Sequence, residues 1–338
     1  MGLIRTKQLI SIYLGSDTNW ILPHFASPRW LIKLMSDTSP KSDNRPLTAF
    51  AIVIGTVFLF ALGDILVKHL TMHYPVMLVL AIRYWISLLF LLALAWPRIG
   101  TSLWETVRTR SVLGRGLVLA LCSLTLGHAL QLMPVGETIA ILYLFPILVM
   151  IISIPFLGER VSPLSWSFAA LSFGGILMIV RPGGGLDAAG IAFALLAAIL
   201  SAFFHLITRE LTKTETKISL LFNATLVGAV CLSLAALFAW EGSFPNLKDF
   251  SLIALLGVII NIAYFLLTVA YQYAPASLIA PANWMQVVWA ALLSWLFFDH
   301  LPDQWTILGM LVIVAAGVGI AIKTHRENSN HSTGTSVS

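Results

Sequence analysis

Inside long apolar stretches this chain carries a few side chains able to hold a polar solute. Arg83 lies about eight residues into its stretch, ~12 Å along a helix at 1.5 Å per residue. An ionised group at that depth in a bilayer costs roughly 2.5–3.5 kcal/mol, so it faces a cavity or a partner. It offers a fixed positive charge to a carboxylate or phosphate; the competing reading is an internal ion pair with Asp64, one turn from the end of the preceding stretch. Tyr143 and Trp284 each fall about eight residues into theirs, and paired aromatics can sandwich a planar ligand or cation or simply pack helices together. Asn283 and Gln286 flank Trp284 with amides that both donate and accept. Asp64, Arg83, Tyr143, Asn283, Trp284 and Gln286 therefore make the expected substrate-binding set. His128 and Glu137 are the groups through which protons could pass, although a packed histidine and a helix-start carboxylate explain them as well. Gln131, His205, Asn223, Asn261, Tyr264 and Gln272 are expected along a cavity wall, each with a packing alternative.

The elements that must position these residues follow from composition. Of 338 residues 58% are hydrophobic and 10% charged, against roughly 25% charged in a soluble domain, so the chain belongs in a lipid bilayer. Ten apolar runs are expected to cross it, at about 48–67, 75–96, 113–133, 135–156, 163–180, 187–207, 218–240, 250–273, 276–298 and 304–322, each near the length that spans ~30 Å of hydrocarbon. They are apolar on every face, which fits helices and not the alternating strands of a barrel. Lys and Arg are divided between alternate sides, 16 against 3 with Arg83 inside a run. The positive-inside rule then puts both termini in the cytoplasm. The net charge of +5 comes from that division and not from a nucleic-acid-binding patch. Cys122 and Cys231 sit in apolar runs as small hydrophobes, with no disulfide or metal site expected. Residues 1–47 read as a cytoplasmic arm, interfacial or disordered, with Met35 an alternative natural start, and 324–338 as a cytoplasmic tail.

A shift of 141 positions aligns Ala129, Gln131 and Pro134 with Ala270, Gln272 and Pro275, and Ala61, Lys68, Leu70 and Thr71 with Ala202, Arg209, Leu211 and Thr212. One offset serving two distant stretches indicates duplication, with copies at 48–182 and 183–323. Five spans per copy is odd, so the second copy enters the membrane from the opposite side, and two inverted copies around one central site supply inward- and outward-facing states. The fold class expected is an all-α integral membrane protein, ten transmembrane helices as two inverted five-helix repeats. Pro146 and Pro281 should bend the fourth and ninth spans; the polar hinge from Gly158 to Ser162 should turn the chain. The pairs Ala170/Gly174 and Ala315/Gly319 should let the last span of each half approach a neighbour or a second copy in a homodimer.

The segments Gln131-Leu132-Met133-Pro134, Tyr143-Leu144-Phe145-Pro146, Leu157-Gly158-Glu159-Arg160, Trp166, Gly174-Gly175 and Val180-Arg181-Pro182-Gly183 resemble the EamA domain of the drug/metabolite transporter superfamily. The second copy resembles it more loosely through Ala274-Pro275-Ala276-Ser277, Trp284, Trp305, Gly309 and Gly317, and departs from it where Phe298, Asp299 and His300 stand in place of Leu-Gly-Glu. The Met-Pro and Val-Arg-Pro-Gly segments are similar to those of importers of S-adenosylmethionine or riboflavin. The resemblance implies a secondary transporter of a small organic metabolite (amino-acid, nucleotide-derived or vitamin-like) in the cell membrane, the inner membrane of a bacterium. The alternatives are an intramembrane enzyme, for which no matched catalytic pair is found, and a channel, which usually shows a charged ring. Without a Walker-type loop, ATP drive within the chain is not expected, nor is a cofactor.

Overall fold

The computed structural model describes residues 46–157, 163–180, 185–212, 214–238, 242, 244–273 and 283–334. The amino-terminal arm, the 158–162 hinge, Pro275 and Pro281 lie outside the described residues. The helices are α1 (Pro46–Thr71), α2 (Val76–Ile99, followed by a 3-10 turn Gly100–Leu103), α3 (Thr109–Leu132), α4 (Val135–Leu142) and α5 (Phe145–Leu157). They continue as α6 (Pro163–Val180), α7 (Ala188–Leu211), α8 (Lys217–Phe238), α9 (Leu247–Tyr273), α10 (Met285–Phe298) and α11 (Gln304–Gly334). Among the described residues α1, α2, α3, α7, α8 and α9 are long and apolar enough to cross a membrane, and shorter apolar helices occupy the other predicted runs.

Local chemistry fixes the ends. Pro75 and Pro134 precede α2 and α4, where a missing N–H costs nothing. Asp187 begins α7 by accepting from Gly190 N at 2.8 Å, a side-chain N-cap that satisfies an orphan amide. Within the helices Thr56, Thr125, Thr225 and Ser233 return their hydroxyls to the carbonyl four residues earlier, the local solution available where no water reaches.

The predicted fourth span is not one rod. It breaks at Tyr143 and Leu144 into α4 and α5. Pro146 has no N–H for the Leu142 carbonyl and its ring crowds that carbonyl, so Ile147 N turns to Leu144 O at 3.0 Å instead. The bend expected from Pro146 thus becomes a full interruption at the residue expected to bind solute.

Helix pairing is exchanged between the copies. The main packing partners are α1 with α9 and α7 with α3, α2 with α8, and α6 with α11. Two ends can be defined by their cations. At the Lys68 end α1 and α3 finish, because Lys68 Nζ donates to the α3 carbonyls of Leu130 and Met133 at 2.8 and 2.7 Å. There α9 begins, since Tyr74 O–H donates to Asp249 Oδ2 at 2.7 Å, a bond that raises the Tyr74 pKa. At the Arg115 end α3 begins while α7 finishes, because Arg115 bonds Thr208 Oγ1 at 2.6 Å and Leu220 O at 2.9 Å. The first helix of each copy therefore runs opposite to the other, as the repeat required.

Two expectations are corrected. Arg115 was counted among loop cations, but it is a buried residue within α3, its guanidinium satisfied by those two oxygens and by the Phe204 ring at 4.4 Å. Of the four small residues expected there Gly319 does approach α6, a Cβ on it colliding with the Phe168 ring; the other close approach is made by Gly175, where an added Cβ would lie 2.8 Å from Gly309 O, whereas Gly174 meets open space and Ala170 and Ala315 are exposed. The inner face of α6 carries Ser172, Gly175, Ile176 and Ile179, all buried, a 3-4-7 stripe that leaves Ala170 and Gly174 on other faces.

Candidate functional site

Between the two copies lies a cavity of about 280 Å³. Asp64 from α1, Arg83 from α2, Tyr143 at the α4/α5 break, His205 from α7, Asn261 and Tyr264 from α9, and Asn283 with Gln286 at the start of α10 all line it. Eight of the predicted site residues thus converge from six sequence-distant segments.

Four of them are wired together. Tyr143 Oη lies 2.6 Å from Asn283 O and 3.1 Å from Gln286 Oε1, so its one proton goes to the nearer carbonyl or is shared. Gln286 Nε2 then donates to Asp64 Oδ2 at 3.0 Å. The chain joins the interrupted fourth span of one copy to the matching span of the other and ends on a carboxylate at the cavity.

Arg83 is not part of that chain. Among the described residues it makes no contact ion pair with Asp64 within 4 Å, although its charge acts on that carboxylate at longer range. Its guanidinium sits 4.5 Å over the Tyr84 ring, and its Nε is buried with no hydrogen-bond partner. A buried donor without a partner costs about 1–3 kcal/mol, which an anion entering the cavity would offset. Gly228 shapes this wall: a Cβ there would collide with the Tyr84 ring.

The aromatics do not work as expected. Trp284 is 5% exposed and packs on Tyr143, ring centroids 5.1 Å apart and tilted by 50°, which leaves no slot between them for a ligand. His205 is among the rings that line the cavity. It is exposed although mid-helix and stacks on Phe145 at 4.7 Å and 11°, with Phe204 edge-on beside it.

Other predicted residues lie elsewhere. His128 stacks on Phe193 at 5.1 Å; Gln131 Nε2 donates to Thr71 O at 2.7 Å, closing the Lys68 end. Glu137 is 3% exposed and bonds His300 Nε2 at 3.1 Å, so the structure does not join it to His128. Asn223 is buried and bonds Ser219 O within α8, off the cavity. The Gln272 side chain lies outside the described residues. Sequence reasoning missed Tyr84, whose hydroxyl meets Ser123 Oγ at 2.8 Å, and Cys122, whose thiol meets Ser201 Oγ at 3.1 Å; all four line the cavity. Ser201 precedes His205, and Ser87 follows Arg83, by one helical turn; that spacing was the available signal.

The cavity leans toward one end. Its α8 residues, Leu221 and Thr225, belong to the beginning of that helix, and its α9 residues run from Ile260 to Leu267, toward the end of theirs. Both positions point to the Arg115 end. At the Lys68 end a packed core of Ile65, Leu70, Val135, Ile139, Val287 and Leu293 fills the space.

A multi-pass helical membrane protein, built as two inverted copies around a largely apolar cavity that holds a few polar side chains, is the class that fold and site define. The model of the EamA-like transporter family matches residues 47–181 and again 188–322, and the chain belongs to that family. The two matches start 141 residues apart, the offset read from the sequence. Among relatives, the S-adenosylmethionine uptake transporter of Rickettsia bellii is 27% identical over 278 residues, covering 81% of this chain and 94% of its own length. The riboflavin transporter of Rhizobium johnstonii is 32% identical over 199 residues, 56% of this chain and 63% of its own. The pseudopaline exporter of Pseudomonas aeruginosa is 26% identical over 267 residues, 78% of this chain and 92% of its own. A solved crystal structure with 19% identity superposes with a TM-score of 0.60 over 83% of this chain and 98% of that one, a likeness of fold alone.

Proposed function

We propose that this protein is a secondary transporter of a small organic metabolite, working by alternating access around the central cavity. The observation that carries the reading is Arg83: a guanidinium on the cavity wall whose buried Nε has no protein partner. In a lipid-embedded protein such a group is costly unless something occupies the cavity to meet it. Arg83 takes an anionic group of the solute, Asp64 and Gln286 a hydrogen-bond donor, and the free face of His205 a planar portion. Relatives named for S-adenosylmethionine, riboflavin and pseudopaline support a metabolite of this size and polarity.

In the proposed arrangement ten segments cross the cell membrane, α4 with α5 counting as one, and the repeats occupy 48–182 and 183–323. The excess of Lys and Arg puts the Arg115 end and both termini in the cytoplasm, so the cavity leans inward. Neither His128 nor Glu137 opens on the cavity, and the proposed cycle draws no proton path through them.

The test is a thermal-shift screen of purified protein against S-adenosylmethionine, riboflavin, amino acids and nucleotides, followed by uptake of any stabilising compound into proteoliposomes. A ligand at 100 times its Kd adds ~2.7 kcal/mol of stability. The expected result is stabilisation by a compound bearing an anionic group and its saturable uptake. A stabilising compound that is never transported would overturn the reading.

A further inference from the structure

A second polar cluster lies outside the cavity, at the closed Lys68 end. Glu137, in the first turn of α4, is 3% exposed; its Oε1 bonds His300 Nε2 at 3.1 Å, while its Oε2 is buried with no partner. His300 follows α10 and its side chain is 42% exposed, so it covers the carboxylate from outside. Lys68 is pinned by the two carbonyls that end α3, sits 5.7 Å from the Phe298 ring, and acts on Glu137 through its charge. The bridge links the first copy, through α1, α3 and α4, to the chain after α10 in the second.

The repeat does not duplicate this bridge. The 141-residue shift places Leu278 at the position of Glu137 and Glu159 at that of His300, and a leucine cannot take part in such a pair. The Arg115 end is joined by other bonds, Arg115 donating to Thr208 and Leu220 and Glu215 accepting from the backbone of Val107 and Arg108. In an inverted-repeat fold the two access states are otherwise near-equivalent by construction, so the difference between the bonds at the two ends sets which state is favoured.

We propose that Glu137 and His300 form the gate of the Lys68 end, and that His300 is a gating residue of the transport cycle. The proposal rests on the alternating-access reading above. While the end is closed, Glu137 is out of water and needs His300; once it opens, water hydrates the carboxylate and the bridge is dispensable. Parting the pair without opening leaves a buried carboxylate short of partners, which is the costly arrangement, so the bridge and the surrounding apolar core separate together.

The test needs no solute. Cys122 lines the cavity but is buried, so the reporter is a thiol at half-buried Ser201 beside it, Ser201→Cys in a Cys122→Ser, Cys231→Ser background; a charged, impermeant methanethiosulfonate then reports which end admits it, in right-side-out and inside-out vesicles of the full chain. Losing a hydrogen bond to a charged group is expected to shift the two states by about ten-fold. His300→Ala, at a half-exposed position, should raise labelling from the Lys68 side by about that factor and lower it from the Arg115 side. Glu137→Gln keeps an acceptor for His300 but leaves no buried charge, so alone it should change sidedness little, and combined with His300→Ala it should cancel most of that variant's effect, because no carboxylate is then stranded out of water. Unchanged sidedness in His300→Ala, a rise from both sides together, or a double substitution that labels like His300→Ala would each overturn the gate. If no metabolite is found to bind, the labelling still reads the gate, so the two proposals fail separately.

Discussion

Replacing Arg83 with methionine separates a binding guanidinium from a structural one by the sign of its effect on stability. If Arg83 were half of an internal ion pair, removing it would strand a charge and cost about 3–5 kcal/mol. The structure contains no contact pair with Asp64 among the described residues, and Arg83 reaches that carboxylate through its charge alone. What Arg83→Met removes is a buried Nε without a partner, worth about 1–3 kcal/mol in favour of the variant, and a stack on Tyr84, worth about 0.5–2 kcal/mol against it. The unliganded protein should therefore melt within a few degrees of wild type. Binding should respond quite differently. A charge-assisted contact contributes about 1.5–3 kcal/mol, so affinity for an anionic solute should fall roughly 10- to 150-fold, at 1.4 kcal/mol per decade. Thermal unfolding with and without solute, together with proteoliposome uptake, measures both quantities on one preparation. A variant that loses several kcal/mol of stability yet transports normally would refute the reasoning, because Arg83 would then be a structural cation.

Two further substitutions test the cavity and the helix pairing. His205→Ala removes the ring that Phe145 backs on one side and whose other face is assigned to the solute; it should weaken a planar ligand by about 0.5–1.5 kcal/mol beyond lost area, some two- to twelve-fold in Kd, while non-planar ligands of equal charge bind as before; titration calorimetry distinguishes these. Gly175→Ala puts a methyl 2.8 Å from Gly309 O and should cost about 1–3 kcal/mol, whereas Gly174→Ala, next in sequence but facing open space, should leave the melting temperature unchanged.

Which residues reach the cavity was legible to the extent that burial in lipid is expensive for polar groups. Asp64, Arg83, His205, Asn261 and Gln286 stood out against apolar neighbours, and all line it. Their partners were not legible, because these helices are apolar on lipid-facing and protein-facing sides alike. Leu89 and Leu296, 60% and 72% exposed, look no different in sequence from Leu80 and Leu70, at 2% and 1%. For the same reason Tyr143 and Trp284 could be placed at matching depth without showing that they pack on each other. Arg115 looked like a loop cation because it stands only two residues into the expected run, close after Arg108 and Arg110; only the contacts with Thr208 and Leu220 show it inside the bundle. His300 fell in a hinge where the two copies differ in sequence, a departure visible from the start whose partner, Glu137, lies 163 positions away.

The exchanged pairing of α1 with α9 and α7 with α3 bears on how the molecule is made. When the ribosome has finished the first copy, the faces of α1 and α3 that α9 and α7 will cover are still bare, and the cavity has half its wall. Neither copy is a self-sufficient half. Severed fragments should associate only if both are present during insertion, and an inherited change in one copy has to be accommodated by the other.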